Sequence, residues 1–161
     1  SVPEVRHVEL RELAADLANQ LVTGIASPAL GEVTDAVRAA EAIIAVTPVF
    51  NASYSGLFKL FFDLLDEGAL AGKPLLMAAT GGTPRHSLAI DQAMLPLFFY
   101  LKASVAPTAV FAATDDWGAD SGLSARIERA GADLAALVHQ RPAPPPADPW
   151  ALPDFETLLH G

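Results

Sequence analysis

Two uncharged stretches of this sequence have residue types that suit contact with a flat aromatic heterocycle. Residues 42–58 contain no charged side chain, and residues 75–90 contain only Arg85. Both are rich in small or polar uncharged residues, and the second contains Gly81-Gly82. Backbone N–H groups in such segments can meet ring oxygens and nitrogens, and glycine permits positive φ and close backbone approach. Ordinary turns after buried strands are the alternative, and these residues alone leave it open.

Three apolar runs precede the segments that can form a site. The runs cover residues 42–47, 74–80 and 108–113. Uninterrupted runs of this length are typical of strands buried on both faces, as in a parallel sheet. Ligands of open parallel sheets bind outside the carboxyl ends of the strands. We therefore expect the site in three loops, the first at residues 47–56, the second at 80–87 and the third at 114–118.

Helix-length segments separate these runs. Residues 56–67, 88–102 and 123–139 carry apolar side chains at helical spacing. Ser27-Pro28 is a favourable helix start, because serine can cap free N–H groups and proline fits the first helical position. Residues 5–10 are interpreted as a short strand that precedes a helix. Strands that alternate with helices predict an α/β protein with a doubly wound parallel sheet and right-handed crossovers.

Composition restricts the class of protein. The chain has 161 residues, of which 52% are hydrophobic and 18% charged, so it can bury a core as one domain. The net charge of −9 disfavours nucleic acid and anionic membranes as partners. Cysteine is absent, which excludes disulfides and thiolate chemistry, and the histidines show no metal-ligand spacing. No leader or membrane-length apolar run is visible, so we expect a cytoplasmic protein.

The last part of the chain differs from the rest. Residues 141–149 are rich in proline and predict an extended segment. Beyond them, Trp150 and Phe155 are too apolar to be left in water, and they could anchor an arm on this subunit or on a neighbour. We divide the chain into a domain at residues 1–140 and a Pro-rich C-terminal arm at 141–161.

Apolar helices also suggest self-association. The predicted helices at 57–65 and 88–101 carry more apolar surface than one sheet face covers. A homo-oligomer, dimer or tetramer, is therefore expected, although core packing explains the same residues equally well. The candidate interface residues are Phe61, Phe62, Phe98, Phe99 and Tyr100.

The first loop carries a recognisable motif. Residues 47–59 read Thr-Pro-Val-Phe-Asn-Ala-Ser-Tyr-Ser-Gly-Leu-Phe-Lys. Its proline, aromatic residue, Asn-x-Ser, small-Gly pair and Leu-x-Lys resemble the NADPH-dependent FMN reductase family of the flavodoxin-like superfamily, whereas Val49 departs from a common glutamate. Residues 79–87 and 111–118 resemble the actinobacterial subgroup that is paired with luciferase-like flavin monooxygenases.

This resemblance implies a flavodoxin-like three-layer sandwich that binds FMN. Residues 48–53 are then expected along the isoalloxazine ring and ribityl chain, and residues 80–82 at the polar edge of the ring. Arg85 and His86 can reach the flavin, the dinucleotide or a partner subunit, and Asp116-Trp117 can close the pocket. The cofactor-binding residues expected in this way are Thr47, Pro48, Val49, Phe50, Asn51, Ser53, Tyr54, Thr80, Gly81, Gly82, Arg85, His86, Asp116 and Trp117. Alternative roles remain open for five of them: a turn residue for Asn51, packing for Tyr54, a solvated charge for Arg85, a helix cap for His86 and an acidic turn for Asp116.

The implied activity is NAD(P)H-dependent reduction of FMN, which supplies reduced flavin to a partner monooxygenase. Hydride transfer between the two cofactors requires no protein acid or base, so no catalytic side chain is assigned. A flavodoxin-type FMN electron carrier is one alternative, since such carriers are acidic and Phe50 and Trp117 could flank the ring. An FMN-bound quinone or azo reductase is another.

One part of the family pattern is not found. Members begin with a strand that runs into a phosphate-binding loop at a helix N-terminus, and that strand is central in the usual 2-1-3-4-5 order. A sheet without it would leave buried backbone groups unpaired, at about 1–3 kcal/mol each. We therefore expect the natural protein to contain a strand and phosphate loop beyond this sequence, and the residues that bind the FMN phosphate are not assigned.

Overall fold

A computed structural model of the chain describes residues 4–118 and 122–140. The predicted arm at 141–161 lies outside the described residues. The helices are α1 (Ala14–Thr23), α2 (Pro28–Ala39), α3 (Gly56–Asp63), α4 (Leu95–Tyr100) and α5 (Leu123–Gln140). The strands are β1 (Ile43–Phe50), β2 (Ser53–Tyr54), β3 (Pro74–Gly81), β4 (Ser104–Val105) and β5 (Val110–Ala113). Single turns of 3-10 helix cover Leu10–Leu13, Pro84–His86 and Thr114–Trp117, and a π-helical turn, Ile90–Met94, leads into α4.

β3 is the central strand of the sheet. It pairs in parallel with β1 on one edge, from Ile43 opposite Leu75 to Pro48 opposite Thr80. On its other edge it pairs in parallel with β4 and then with β5. β2 returns antiparallel to the end of β1 as a short hairpin. The predicted parallel sheet is confirmed, and parallel strands bring their carboxyl ends to one edge.

Helices cover the two faces of this sheet, which confirms the predicted three-layer α/β architecture. α5 packs through Ala130 and Leu134 on the face that carries Leu76 and Val110. The other four helices pack on the opposite face, and the buried residues there include Leu17, Leu30, Phe58, Leu75, Met77, Met94 and Phe98. Within the described residues, no helix combines the length and the hydrophobicity needed to cross a membrane.

The predicted helix start at Ser27-Pro28 is confirmed. The Ser27 hydroxyl accepts a hydrogen bond from the Leu30 N–H group at 3.1 Å, and Pro28 is the first residue of α2. The strand predicted at residues 5–10 is wrong. Residues 4–9 have no regular structure, and Val8 and Leu10 pack against the core instead of joining the sheet.

The expectation that β1 is buried on both faces is also wrong. Ala45 and Thr47 are buried, whereas Ile44 and Val46 are each 55% exposed. α5 lies over β3 and β5 and leaves the same face of β1 uncovered. In the described part of the chain, the edge of β1 opposite β3 has a partner only at Val49 and Phe50. An open edge and an uncovered apolar face thus coincide on β1.

The aromatic side chains divide between the core and the surface. Phe61, Phe62 and Phe98 are buried, and the Phe62 and Phe98 rings lie 5.0 Å apart in an edge-on contact. These three side chains therefore belong to the core, which was the alternative to their role in an interface. Phe99 and Tyr100 are 65% and 85% exposed, so they remain candidates for contact with another subunit.

A buried lysine ends helix α2. The ammonium group of Lys73 donates hydrogen bonds to the carbonyl oxygens of Val37, Arg38 and Ala40, each at 2.8 Å. The last carbonyl groups of a helix have no partner within the helix, and a cation there also interacts favourably with the helix dipole. Lys73 immediately precedes β3, so these bonds join α2 to the central strand.

We predict that Lys73→Met destabilises the protein by about 2–3 kcal/mol, because it leaves these carbonyl groups unsatisfied. Lys59→Met is the matched control. Lys59 forms an exposed pair with Asp63 four residues away, and such a pair contributes about 0.5 kcal/mol or less. Urea unfolding of both variants tests the prediction, and equal losses would contradict it.

Candidate cofactor-binding site

The three loops predicted to form a site begin side by side. Pro48 on β1 lies opposite Thr80 on β3, and Thr80 in turn lies opposite Ala112 on β5. The strands therefore end at the same edge of the sheet, in the order β1, β3, β5. Segments about 30 residues apart in the sequence become neighbours because β3 pairs with both other strands.

A two-residue turn shapes the first loop. Asn51 and Ala52 have φ values of 49° and 66°, and Phe50 pairs with Ser53 across them. Positive φ at both central residues defines the type I′ hairpin that suits the twist of paired strands. Asn51 is thus a turn residue, which is the alternative role that the sequence left open for it. Pro48, Asn51 and Ala52 are exposed, as is the Phe50 side chain, so much of this loop is open to a ligand.

The buried side chain of Thr47 holds the first loop in place through hydrogen bonds. This side chain is 1% exposed, and its hydroxyl donates to the Pro48 carbonyl at 2.9 Å and accepts from the Ser55 N–H group at 3.0 Å. The Ser55 hydroxyl then accepts from the Phe58 N–H group and caps α3. The loop is therefore joined at both ends to one buried hydroxyl.

Val49 and Tyr54 face the interior of the protein. They pair across the hairpin, and both pack against the main core. The Tyr54 ring lies 5.9 Å from the Phe58 ring. Packing, the alternative stated for Tyr54, accounts for these contacts. Ser53, which lies between the turn and Tyr54, is half-buried.

The two glycines of the second loop differ in their surroundings. Neither adopts positive φ, so the conformational freedom expected of them is not used. A Cβ atom on Gly81 would lie 2.9 Å from Cζ of Phe111, whereas one on Gly82 would meet no atom within 4 Å. A side chain at residue 81 would therefore press against the tip of the Phe111 ring. Gly82 is exposed, and its backbone is open to a ligand.

Arg85 and His86 project from the second loop. Both belong to the exposed 3-10 turn Pro84–His86, and Thr80 before them is half-buried. The helical segment that follows has Ala89 at its N-cap position with no side-chain cap bond. A cap by His86 is therefore not formed. Arg85 has no carboxylate partner among the described residues, and it is the single cation of its loop.

Asp116 ties the third loop to helix α5. Its carboxylate accepts from the Ala113 N–H group and from the Arg126 guanidinium, both at 2.8 Å. The Arg126 hydrogen bond, with that of Ala113, holds the pKa of the Asp116 carboxyl below its ordinary value. These bonds are the acidic-turn role that was left open for Asp116. Trp117 beside it is 70% exposed. Sequence reasoning missed Arg126, because nothing local marks a helix residue ten positions away as the partner.

This edge of the sheet fits a planar, mostly uncharged ligand. Its first two loops present exposed backbone, an open glycine and the exposed Phe50 ring, with Arg85 as their single charge. The isoalloxazine group of FMN has this chemistry, with polar atoms along its edges that backbone groups can meet. The three-layer fold and the position of the site define a flavodoxin-like α/β domain.

Comparisons with known proteins identify the family. Residues 2–118 match the family model of the NADPH-dependent FMN reductases, and the chain belongs to that family. An FMN reductase (NADPH) of Pseudomonas aeruginosa is 38% identical over 140 residues, which are 84% of this chain and 75% of that protein.

Solved structures agree with this assignment. An oxidoreductase from Corynebacterium diphtheriae superposes with a TM-score of 0.82 at 46% identity, over 86% of this chain and 78% of that one. The apo form of an NADH:FMN oxidoreductase superposes with a TM-score of 0.68 at 28% identity, over 88% of this chain and 74% of that one. The predicted flavodoxin-like fold and the resemblance to FMN reductases are thus confirmed.

We predict that Thr47→Val loosens the first loop, because the isosteric side chain cannot accept from the buried Ser55 N–H group. An unsatisfied buried donor costs about 1–3 kcal/mol. Hydrogen exchange measured by NMR should show that the Ser55 amide loses protection in Thr47→Val and keeps it in Thr47→Ser, which retains the hydroxyl. Retained protection in Thr47→Val would show that the Thr47 hydroxyl does not hold the loop.

Proposed function

We propose that this protein oxidises NADH or NADPH and reduces FMN. The observation that carries the proposal is the meeting of two nearly uncharged loops at the carboxyl ends of β1 and β3, with Gly82 open to a ligand. Membership of the FMN reductase family supports it. Relatives and neighbours named for NADPH and for NADH both occur, so both dinucleotides are proposed as donors.

The loops act by binding and orientation. The exposed part of residues 48–53 lines the flavin ring and its ribityl chain, and Thr80, Gly81 and Gly82 lie against the polar edge of the ring. FMN, when bound, supplies the hydride-accepting chemistry, so the protein needs no acid or base of its own. Arg85 and His86 are exposed at the rim, where they can contact the dinucleotide.

Thr47 and Asp116 hold the backbone of this site in place through hydrogen bonds. The Thr47 hydroxyl bonds both ends of the first loop, and the Asp116 carboxylate accepts from the N–H group of Ala113, the last residue of β5. Trp117 and Phe50 are exposed aromatic side chains at either side of the strand ends, and both suit contact with a planar ring. We expect their replacement by alanine to weaken flavin binding.

An absorbance assay tests the activity. The protein is mixed with FMN and either dinucleotide, and the loss of absorbance at the nicotinamide band is followed. We expect oxidation that depends on both FMN and protein. If neither NADH nor NADPH is oxidised, the proposal is wrong.

Gly82→Ala tests where FMN binds. A methyl group on Gly82 has room within the protein but would meet a ligand that approaches the backbone. We expect the Kd for FMN to rise about tenfold, which corresponds to about 1.4 kcal/mol, with stability unchanged. Gly31→Ala, on α2 and with equally open space, is the control and should leave the Kd unchanged. Equal affinities in all three proteins would place the flavin elsewhere.

An electron carrier with tightly held FMN is the second candidate. The exposed aromatic side chains of Phe50 and Trp117 favour it, because flavodoxin-type carriers flank the ring with aromatic residues. Anaerobic titration separates the two functions. Reduction in one-electron steps would support the carrier, and direct two-electron reduction by the dinucleotide would support the reductase.

We further propose that the reduced flavin passes to a luciferase-like monooxygenase. The first and second loops are largely exposed, which lets a reduced flavin leave the site. A coupled assay with an FMNH₂-dependent monooxygenase should yield oxidised product only with this protein and dinucleotide present. Product formation that fails despite rapid flavin reduction would remove this extension and leave the reductase activity standing.

We also propose that the protein is a homo-oligomer. Phe99 and Tyr100 form an exposed aromatic pair on α4 that water solvates poorly. The predicted arm at 141–161 could add contacts to a neighbouring subunit. Light scattering should show a dimer or tetramer that Tyr100→Glu weakens, and a monomer of the unaltered chain would refute the proposal.

A further inference from the structure

We propose that Phe111 is a positioning residue for flavin binding, acting through the backbone of Gly81 and Gly82. The inference rests on the proposed function. Phe111 lies on β5 opposite Ala79, and its ring extends diagonally toward Gly81, two residues further along β3. Diagonal neighbours in a sheet lie within reach of an aromatic side chain.

The contact with Gly81 leaves no space for a side chain. A Cβ atom at Gly81 would lie 2.9 Å from Cζ and 3.5 Å from Cε2 of Phe111. The glycine backbone therefore rests directly against the edge of the ring. In this position of the second loop, a methyl group on residue 81 would require the Phe111 ring to shift.

Away from Gly81, the half-buried Phe111 ring contacts the core and an open cleft. It is packed against the main core and forms one wall of a cleft of about 520 Å³, whose other walls include Met77, Ile90, Leu95, Phe99 and Arg126. The strand that carries Phe111 is also held at its end, where Asp116 bonds both the Ala113 N–H group and Arg126. The ring thus stands between the loop backbone on one side and both the core and this cleft on the other.

The position of the second-loop backbone relative to β5 then depends on the size of the side chain at residue 111. Gly82 is the next residue and has open space around it, so any displacement of Gly81 moves the surface offered to the flavin. Phe111 controls this surface without contact with the flavin itself. A change of its size should alter flavin affinity and reduction potential, and the alteration should depend on residue 81.

Four proteins test the inference: the unaltered chain, Gly81→Ala, Phe111→Leu and the double variant. Gly81→Ala alone should raise the Kd for FMN about tenfold, because the methyl group is forced against the ring. Leucine lacks the outer atoms of the ring, so in the Phe111→Leu background the same change should raise the Kd less than about threefold. Phe111→Leu by itself should shift the flavin reduction potential and raise the Kd several-fold.

Phe98→Leu is the control for a loss of packing alone. Phe98 is fully buried and contacts other aromatic rings, not Gly81. Because Phe98 is more deeply buried than Phe111, its replacement should lower the unfolding midpoint at least as much as Phe111→Leu does, with the Kd unchanged within about twofold. If Phe111→Leu lowers stability but leaves both the Kd and the potential unaltered, Phe111 has a structural role only and the inference is wrong.

The outcomes also separate this inference from the proposed function. If the unaltered chain binds and reduces FMN while the effect of Gly81→Ala is the same in both backgrounds, the inference alone falls. If the unaltered chain does not bind FMN, both fall. Should Gly81→Ala fail to fold, recovery of folding and of FMN binding in the double variant still supports the inference, and its failure to recover overturns it.

Discussion

The pairing of β3 with strands on both edges is the constraint on which the rest of this protein depends. β1 and β5 run parallel to β3 and stay in register with it, with Pro48 and Ala112 on either side of Thr80. Parallel strands end at one edge of a sheet, and each needs a crossover connection to return. In the described residues, α3 lies between β1 and β3 in the chain, and α4 lies between β3 and β5. Loops that are distant in the sequence therefore form one surface, where α/β domains of this kind bind ligands.

That surface is held in place by side chains that lie beneath it. The Thr47 hydroxyl bonds the two ends of the first loop, the Phe111 ring supports the second, and the Asp116 carboxylate bonds the third to α5. A buried polar group with satisfied hydrogen bonds is costly to move, because its partners would be left unpaired. The loops can then present mostly backbone to a ligand and still keep a defined shape. This division of roles explains why some residues of the motif, such as Val49 and Tyr54, face the core and not a ligand.

β1 shows where the structure is least covered. Ile44 and Val46 are exposed, whereas Leu76 on the same face of β3 is buried under α5. The edge of β1 opposite β3 is largely unpaired in the described residues. The strand that the resemblance to FMN reductases led us to expect beside β1 stays a prediction.

The sequence by itself determined the α/β class, the buried strand at 74–80, the cap of α2 and the motif that identifies the family. Each of these depends on residues close together in the chain, such as Ser27-Pro28, the apolar run at 74–80 or the pattern at 47–59. Tertiary structure alone decided which face of β1 is covered, that residues 4–9 lie outside the sheet, and that Phe61 and Phe98 are core side chains. It also decided the partners of Thr47, Gly81, Lys73 and Asp116. The reason is physical: burial and hydrogen bonding at these positions depend on groups from distant segments, and neither hydropathy nor local spacing records which segment will pack against which.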